Sequence, residues 1–234
     1  MPKQAQLPAA VIFDMDGVLV NSNPYHLAKW IDFLNHHQIS YKEEELPELI
    51  LGKRNDTAFR HFLGPDLTPQ ESKRLSEEIE ETFRRVFKAH ARPLPGLDAL
   101  IKECQAAGIP MAVASSAVRT NIEFVVDALS YRPYFRTMVS GDEVRHAKPD
   151  PEIYLKAAEH LGIDPADAVA FEDSYVGIGA VKSAGMKCVA IASTFPIERL
   201  IPLADLAIPT FEAISLEKLR TLFIAEGESS NVAR

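Results

Sequence analysis

Near the start of the chain Val11, Ile12 and Phe13 form an apolar run that breaks off into Asp14-Met15-Asp16-Gly17. A run of β-formers without polar alternation predicts a strand buried on both faces, and this one delivers two carboxylates and a glycine at its C-terminal end. From Pro24 the period becomes helical, with Leu27, Trp30, Ile31 and Leu34 on one face. Helical patterns follow over residues 43–50, 57–63 and 71–90, the last with Leu75, Ile79, Phe83, Val86 and Phe87 on one stripe. No strand pattern interrupts them, so a separate helical lobe is expected between the first strand and Ala91-Arg92-Pro93-Leu94-Pro95-Gly96.

Beyond Gly96 helix and strand patterns alternate. Helices are expected from Leu97 to a stop at Gly108, around Ile122, Val125, Val126 and Leu129, and over 174–184 and 215–225. Strands are expected at 111–114, 137–140, 168–171, 188–192 and, weakly, 206–208. Asp150-Pro151 supplies a capping residue and a proline at the first helical position, for a helix that Gly162 closes. This order predicts an α/β fold, a Rossmann-like parallel sheet flanked by helices with a small α-helical domain inserted. The core would comprise residues 1–22 and 92–234, and the insert residues 23–91.

Composition narrows the partners. With 234 residues and a formal net charge of -8, the chain can bury a sizeable core and is a poor candidate for binding nucleic acid or an anionic membrane. No apolar run reaches bilayer length, and no basic segment precedes an apolar one at the N-terminus, so a cytoplasmic protein is expected. The polar, unpatterned ends at 1–6 and 227–234 are expected to be disordered. Cys104 and Cys188 lie inside apolar patterns without metal-ligand spacing, and read as buried free thiols.

In a parallel sheet the carboxyl ends of all strands share one edge, where ligands bind. That edge would gather Asp14 and Asp16, Ser115 and Ser116, and Glu172 and Asp173, with Lys148 ahead of the helix that Pro151 opens. Acids, a lysine and a hydroxyl suit a divalent cation and a phosphate. Taken singly, each residue has a plainer reading: an acidic turn, a helix cap, a solvated lysine or a turn serine.

The ordered set resembles the haloacid dehalogenase superfamily, in its phosphotransferase branch with a helical cap. The four motifs are Phe13-Asp14-Met15-Asp16-Gly17, Val113-Ala114-Ser115-Ser116, Lys148-Pro149-Asp150-Pro151 and Phe171-Glu172-Asp173-Ser174. The stretch from Asp16 to His26, followed by Trp30, is similar to the β-phosphoglucomutase and sugar-phosphate phosphatase members, with Asn21 where an aspartate is commoner. The resemblance implies Asp14 as nucleophile and Asp16 as general acid and base, with a pKa above that of Asp14. It implies Mg2+ held by Asp14, the backbone carbonyl of Asp16 and Asp173, with Glu172 among the ligands or just behind them. Lys148 would neutralise charge and Ser115 would bind a phosphate oxygen, with Ser116 and Arg119 facing the same site.

The cap bears on the substrate. His26 and Trp30 are one helical turn apart; His26 is open between cleft and packing, whereas Trp30 reads first as core. Gly52-Lys53-Arg54-Asn55-Asp56 is similar to the family's specificity loop, where a basic residue grips the distal end of the substrate. Arg54 stands two residues after Gly52, whereas mutases of this type place their arginine three after it. The expectation is therefore a monomeric, Mg2+-dependent phosphatase of a small-molecule phosphate, sugar phosphates foremost, with pyrophosphate a further candidate. β-Phosphoglucomutase is the near rival, and a catalytically silent binding protein the alternative of another class. Asp16 argues against dehalogenase or phosphonatase chemistry.

Overall fold

The computed structural model describes residues 7–223. The expected disorder at 1–6 and 227–234, and the end of the last expected helix, lie outside the described residues.

Six parallel strands form one sheet: β1 (Ala10–Phe13), β2 (Met111–Ser115), β3 (Phe135–Ser140), β4 (Ala168–Glu172), β5 (Lys187–Ile191) and β6 (Leu206–Ile208). Their order is β3-β2-β1-β4-β5-β6. The chain thus leaves β1 in one direction for β2 and returns on its other side with β4, which makes the end of β1 the switch point where a ligand crevice opens. Every residue of β1 is buried. Val11 and Phe13 face one apolar layer and Ala10 and Ile12 the other, which explains why the strand reads as continuous rather than alternating.

Four helices, α1 (Asn23–His36), α2 (Leu46–Ile50), α3 (Asn55–Leu63) and α4 (Pro69–Phe87), follow β1 ahead of the segment at residues 91–96. Trp30, Phe33, Leu34, Leu46, Ile50, Phe59, Leu75 and Ile79 give them an apolar cluster of their own. Thr68 and Glu71 form a reciprocal capping box that starts α4. The stripe on α4 divides: Leu75 and Ile79 face the lobe's cluster, while Phe83 and Phe87 join the core beneath the sheet. Val86 belongs to neither and is 49% exposed, because only one flank of the helix is covered where it leaves the lobe.

The remaining helices are α5 (Leu97–Ala106), α6 (Arg119–Ala128), α7 (Glu152–Leu161), α8 (Tyr175–Ser183), α9 (Ile197–Leu200) and α10 (Leu216–Arg220). Side chains of α5 and α6 pack in the layer with Phe13, and those of α7 and α8 in the layer with Ile12. α7 begins one residue later than expected, with Pro151 at its cap and Asp150 accepting from the Glu152 amide at 2.9 Å, and Gly162 closes it in the left-handed region at φ 70°. Cys104 and Cys188 are buried free thiols, as expected. No helix among the described residues is long and apolar enough to cross a membrane.

Candidate active site

The strand ends deliver the motif residues to one place. Asp14 follows β1, Ser115 ends β2, and Glu172 ends β4 with Asp173 just beyond it. Lys148, on the loop before α7, reaches across to place Nζ 2.7 Å from Asp14 Oδ1 and 2.6 Å from Glu172 Oε1. All four of Asp14, Lys148, Glu172 and Asp173 are buried. Glu172 is held from every side: Tyr154 Oη donates to its Oε1 at 2.7 Å, and the Asp173 amide, the Ser174 amide and Ser174 Oγ donate to its Oε2. Asp173 Oδ2 accepts from Asn23 Nδ2 at 2.8 Å and from Thr194 Oγ1.

Three buried carboxylates meet one ammonium, an arrangement short of positive charge. Burial and the neighbouring Glu172 and Asp16 charges outweigh Lys148 and push Asp14 up from 3.8 to about 8. Burial and the charges of Glu172 and Asp14 likewise drive Asp173 well above the ordinary carboxylate range. Carboxylate oxygens of Asp14, Glu172 and Asp173 lie within 4.8 Å of one another, so the donor set and its unbalanced charge both fit a divalent cation. Gly17 makes room for this cluster: at φ +79°, a Cβ there would sit 1.9 Å from Asp173 Oδ2.

Asp16 lies at the side of the cluster, on the wall shared with α1. Its Oδ1 accepts from Ser22 Oγ at 2.5 Å and pairs with His26 Nε2 at 2.9 Å. Burial raises its pKa, but the His26 contact, the Ser22 hydrogen bond and the nearby Lys29 charge outweigh burial and hold it below the usual value. Among protein groups alone the expected order, Asp16 above Asp14, is therefore reversed, because the shortage of positive charge falls on Asp14.

Above Asp14 and Asp16 opens a cavity of about 700 Å3, roofed by the helical lobe. Ser115, Ser116, His26, Lys53, Arg54 and Arg119 all line it. Ser115 Oγ accepts from the Ala117 amide at 3.1 Å, while Ser116 Oγ donates to Gly52 O at 3.0 Å. Arg54 is tethered by Val144 O at 3.2 Å and by Asp56 at 3.3 Å, and Arg119 pairs with Glu143 at 2.8 Å. His26 stacks on Phe83 with ring centroids 4.1 Å apart, so it belongs to the cleft through Asp16 and to packing through Phe83. Trp30 touches the cavity but is 1% exposed and packs against Phe33, Phe59 and Phe62, which makes it core first. Asn21 is exposed.

The sequence profile of the haloacid dehalogenase-like hydrolases matches residues 11–191. The chain belongs to that family. Within it, the protein is 32% identical to fructose-1-phosphate phosphatase YqaB of Escherichia coli, across 77% of this chain and 95% of that one. It is also 32% identical to a phosphorylated carbohydrates phosphatase of Thermotoga maritima, across 76% of this chain and 82% of that one. Among solved structures, CbbY of Rhodobacter sphaeroides in complex with phosphate superposes with a TM-score of 0.80 at 28% identity, covering 91% of this chain and 99% of that one.

In this haloacid dehalogenase-like enzyme the motif residues are positioned by others that carry no motif. Ser22 and Asn23 orient Asp16 and Asp173, Thr194 supports Asp173, and Tyr154 supports Glu172. Ser22 and Asn23 fall within the stretch from Asp16 to His26 but carry no signal of their own. Tyr154 and Thr194 gave none, since a tyrosine in a helical stripe and a threonine after a strand are ordinary. A buried acidic cluster that fits a cation, beside an open cavity, can hold a phosphoryl group against a carboxylate and stabilise charge as it moves.

Proposed function

We propose that the protein is a Mg2+-dependent phosphatase of small phosphorylated metabolites, sugar phosphates foremost, acting as a monomer through an aspartyl-phosphate on Asp14. The observation that carries this reading is the buried cluster of Asp14, Lys148, Glu172 and Asp173, whose Asp14 lines a cavity of metabolite size. The phosphatase activities named for the two curated relatives support it. In this reading residues 23–91 are the cap over a core of 1–22 and 92–234.

Asp14, Asp173 and the backbone carbonyl of Asp16 would hold the metal, with Glu172 behind them because both of its oxygens already accept from protein donors. Mg2+ suits so few hard oxygen ligands, and when bound it neutralises charge on the phosphoryl oxygens. An Asp14 oxygen attacks phosphorus and the bond from phosphorus to the sugar oxygen breaks, while Asp16 gives that oxygen its proton. A water then attacks the same phosphorus, Asp16 takes the water's proton, and Asp14 departs from inorganic phosphate. The incoming phosphate dianion raises the pKa of Asp16 toward the value an acid needs. Lys148 and Ser115 steady the phosphoryl oxygens, and Lys53, Arg54, His26 and Ser116 face the remainder of the substrate.

The test is product analysis with Mg2+ and a panel of fructose 1-phosphate, pyrophosphate, and β-glucose 1-phosphate with a trace of glucose 1,6-bisphosphate. Free phosphate as main product from a sugar phosphate supports the proposal. Glucose 6-phosphate with little free phosphate would assign the mutase, and no turnover with Mg2+ on a wide panel of phosphate esters would revive the silent binding protein.

A further inference from the structure

Glu80, on the face of α4 that lines the cavity, is buried among polar groups from four helices. Lys29 Nζ of α1 donates to its Oε1 at 2.5 Å, and Asn55 Nδ2 of α3 donates to the same oxygen at 2.6 Å. Its Oε2 accepts from Asn121 Nδ2 at 2.6 Å, and Asn121 lies on α6, beside the sheet. Arg84, one turn further along α4, closes the contact by donating to Asn121 Oδ1 at 2.7 Å and to Thr120 Oγ1 at 3.2 Å.

A lysine and a glutamate buried together are costly to desolvate, and such a pair is held in place only where further hydrogen bonds satisfy both. Beyond the pair itself, one satisfying group, Asn55, comes from the lobe and one, the fully buried Asn121, comes from the core. The same stretch of α4 positions α1: His26 stacks on Phe83, and Lys29 Nζ lies 5.1 Å from the centre of that ring. Phe83 and Phe87 anchor the end of α4 beneath the sheet, so the Asn121 contact sits one turn above the anchor, where it sets the angle of the whole helix.

We propose that Asn121 and Glu80 are positioning residues whose hydrogen bond braces α4, and with it the helical lobe, in the closed angle over Asp14 and Asp16. The proposal rests on the reading of residues 23–91 as a cap, and not on which phosphate ester is cleaved. With the brace intact the cavity keeps its roof; without it the lobe samples wider angles and the substrate's distal end loses its wall.

The chemistry offers a reversal test. Asn121→Asp sets a carboxylate against the Glu80 carboxylate and opens the brace, whereas adding Glu80→Gln lets an amide donate back across the same gap. Lobe angle can be read by electron paramagnetic resonance between spin labels on Arg74→Cys and Ala128→Cys, both exposed, since the two native thiols are buried. With Mg2+ and inorganic phosphate present, the parent should give one narrow distance. N121D should give a longer, broader distribution and, with the best substrate of the panel, a KM raised about tenfold with a smaller change in kcat. The N121D/E80Q pair should return both toward the parent. Unchanged distances in N121D would overturn the proposal, as would a double variant no closer to the parent than the single one. Should N121D fail to fold, N121A serves in its place, and a parent-like distance distribution there overturns the proposal. The distance readout stands even if no substrate is turned over, so failure of the brace and failure of the phosphatase reading are told apart.

Discussion

Lys148 Nζ lies 2.6 Å from Glu172 Oε1, and both side chains are shut away from solvent. Asp14 shares the same ammonium, so one lysine answers for two buried carboxylates. Replacing it by methionine leaves both uncompensated. Lys148→Met should lower stability by about 3–5 kcal/mol, read by urea unfolding, and reduce kcat at least about a hundredfold. A variant as stable and as active as the parent would remove Lys148 from the account.

The charge shortage predicts a pH dependence in metal-depleted protein. Asp14 is raised from 3.8 to about 8, so its contribution to stability is fully present below the unfolded value and lost as pH rises toward about 8. After chelation, Tm should fall between about pH 4 and pH 8. Adding Mg2+ at pH 8 should raise Tm again, and much less at pH 5. A Tm indifferent to Mg2+ across this range would contradict the assignment of the cluster as a cation site.

Much of this was legible in the chain because the sheet is covered on both faces. Strands such as β1 and β4 are continuous apolar runs ending in acids, and the fold needs every strand end on one edge. Ser115 and Glu172 fall inside β2 and β4 rather than after them, since a polar residue at a sheet's rim still completes the ladder. The short helix α9 was not legible, because four residues carry no helical period. Nothing in the sequence around Glu80 or Lys29 marks either as buried. Only the crossing of α1, α3, α4 and α6 buries them together, and residues 51 positions apart leave no local pattern. The reversed order of the Asp14 and Asp16 pKa values was likewise invisible, since it depends on how many cations the fold brings to each acid.

Gly17 tests the tightness of the site. Gly17→Ala demands a left-handed alanine and places its Cβ on top of Asp173 Oδ2. The backbone alone costs about 1–2 kcal/mol. The displaced carboxylate should weaken Mg2+ binding, measured by calorimetry, about tenfold or more. Unaltered affinity would mean that Asp173 is not a ligand.

Trp30 and His26 are neighbours on α1 with different duties. Trp30→Ala empties the centre of the lobe's cluster and should cost about 3–5 kcal/mol of stability. His26→Ala should lower kcat by about tenfold or more through its loss beside Asp16, with the smaller stability effect of a partly exposed side chain. Equal effects of the two changes on stability and on kcat would erase the distinction.

The most direct test of the central claim is the rate of phosphate release from fructose 1-phosphate with Mg2+ by the parent and by Asp14→Asn. The account predicts measurable turnover by the parent and a loss of about a thousandfold or more in the variant, which should unfold no more easily than the parent. A variant that keeps near-parental kcat would contradict the claim that Asp14 is the nucleophile.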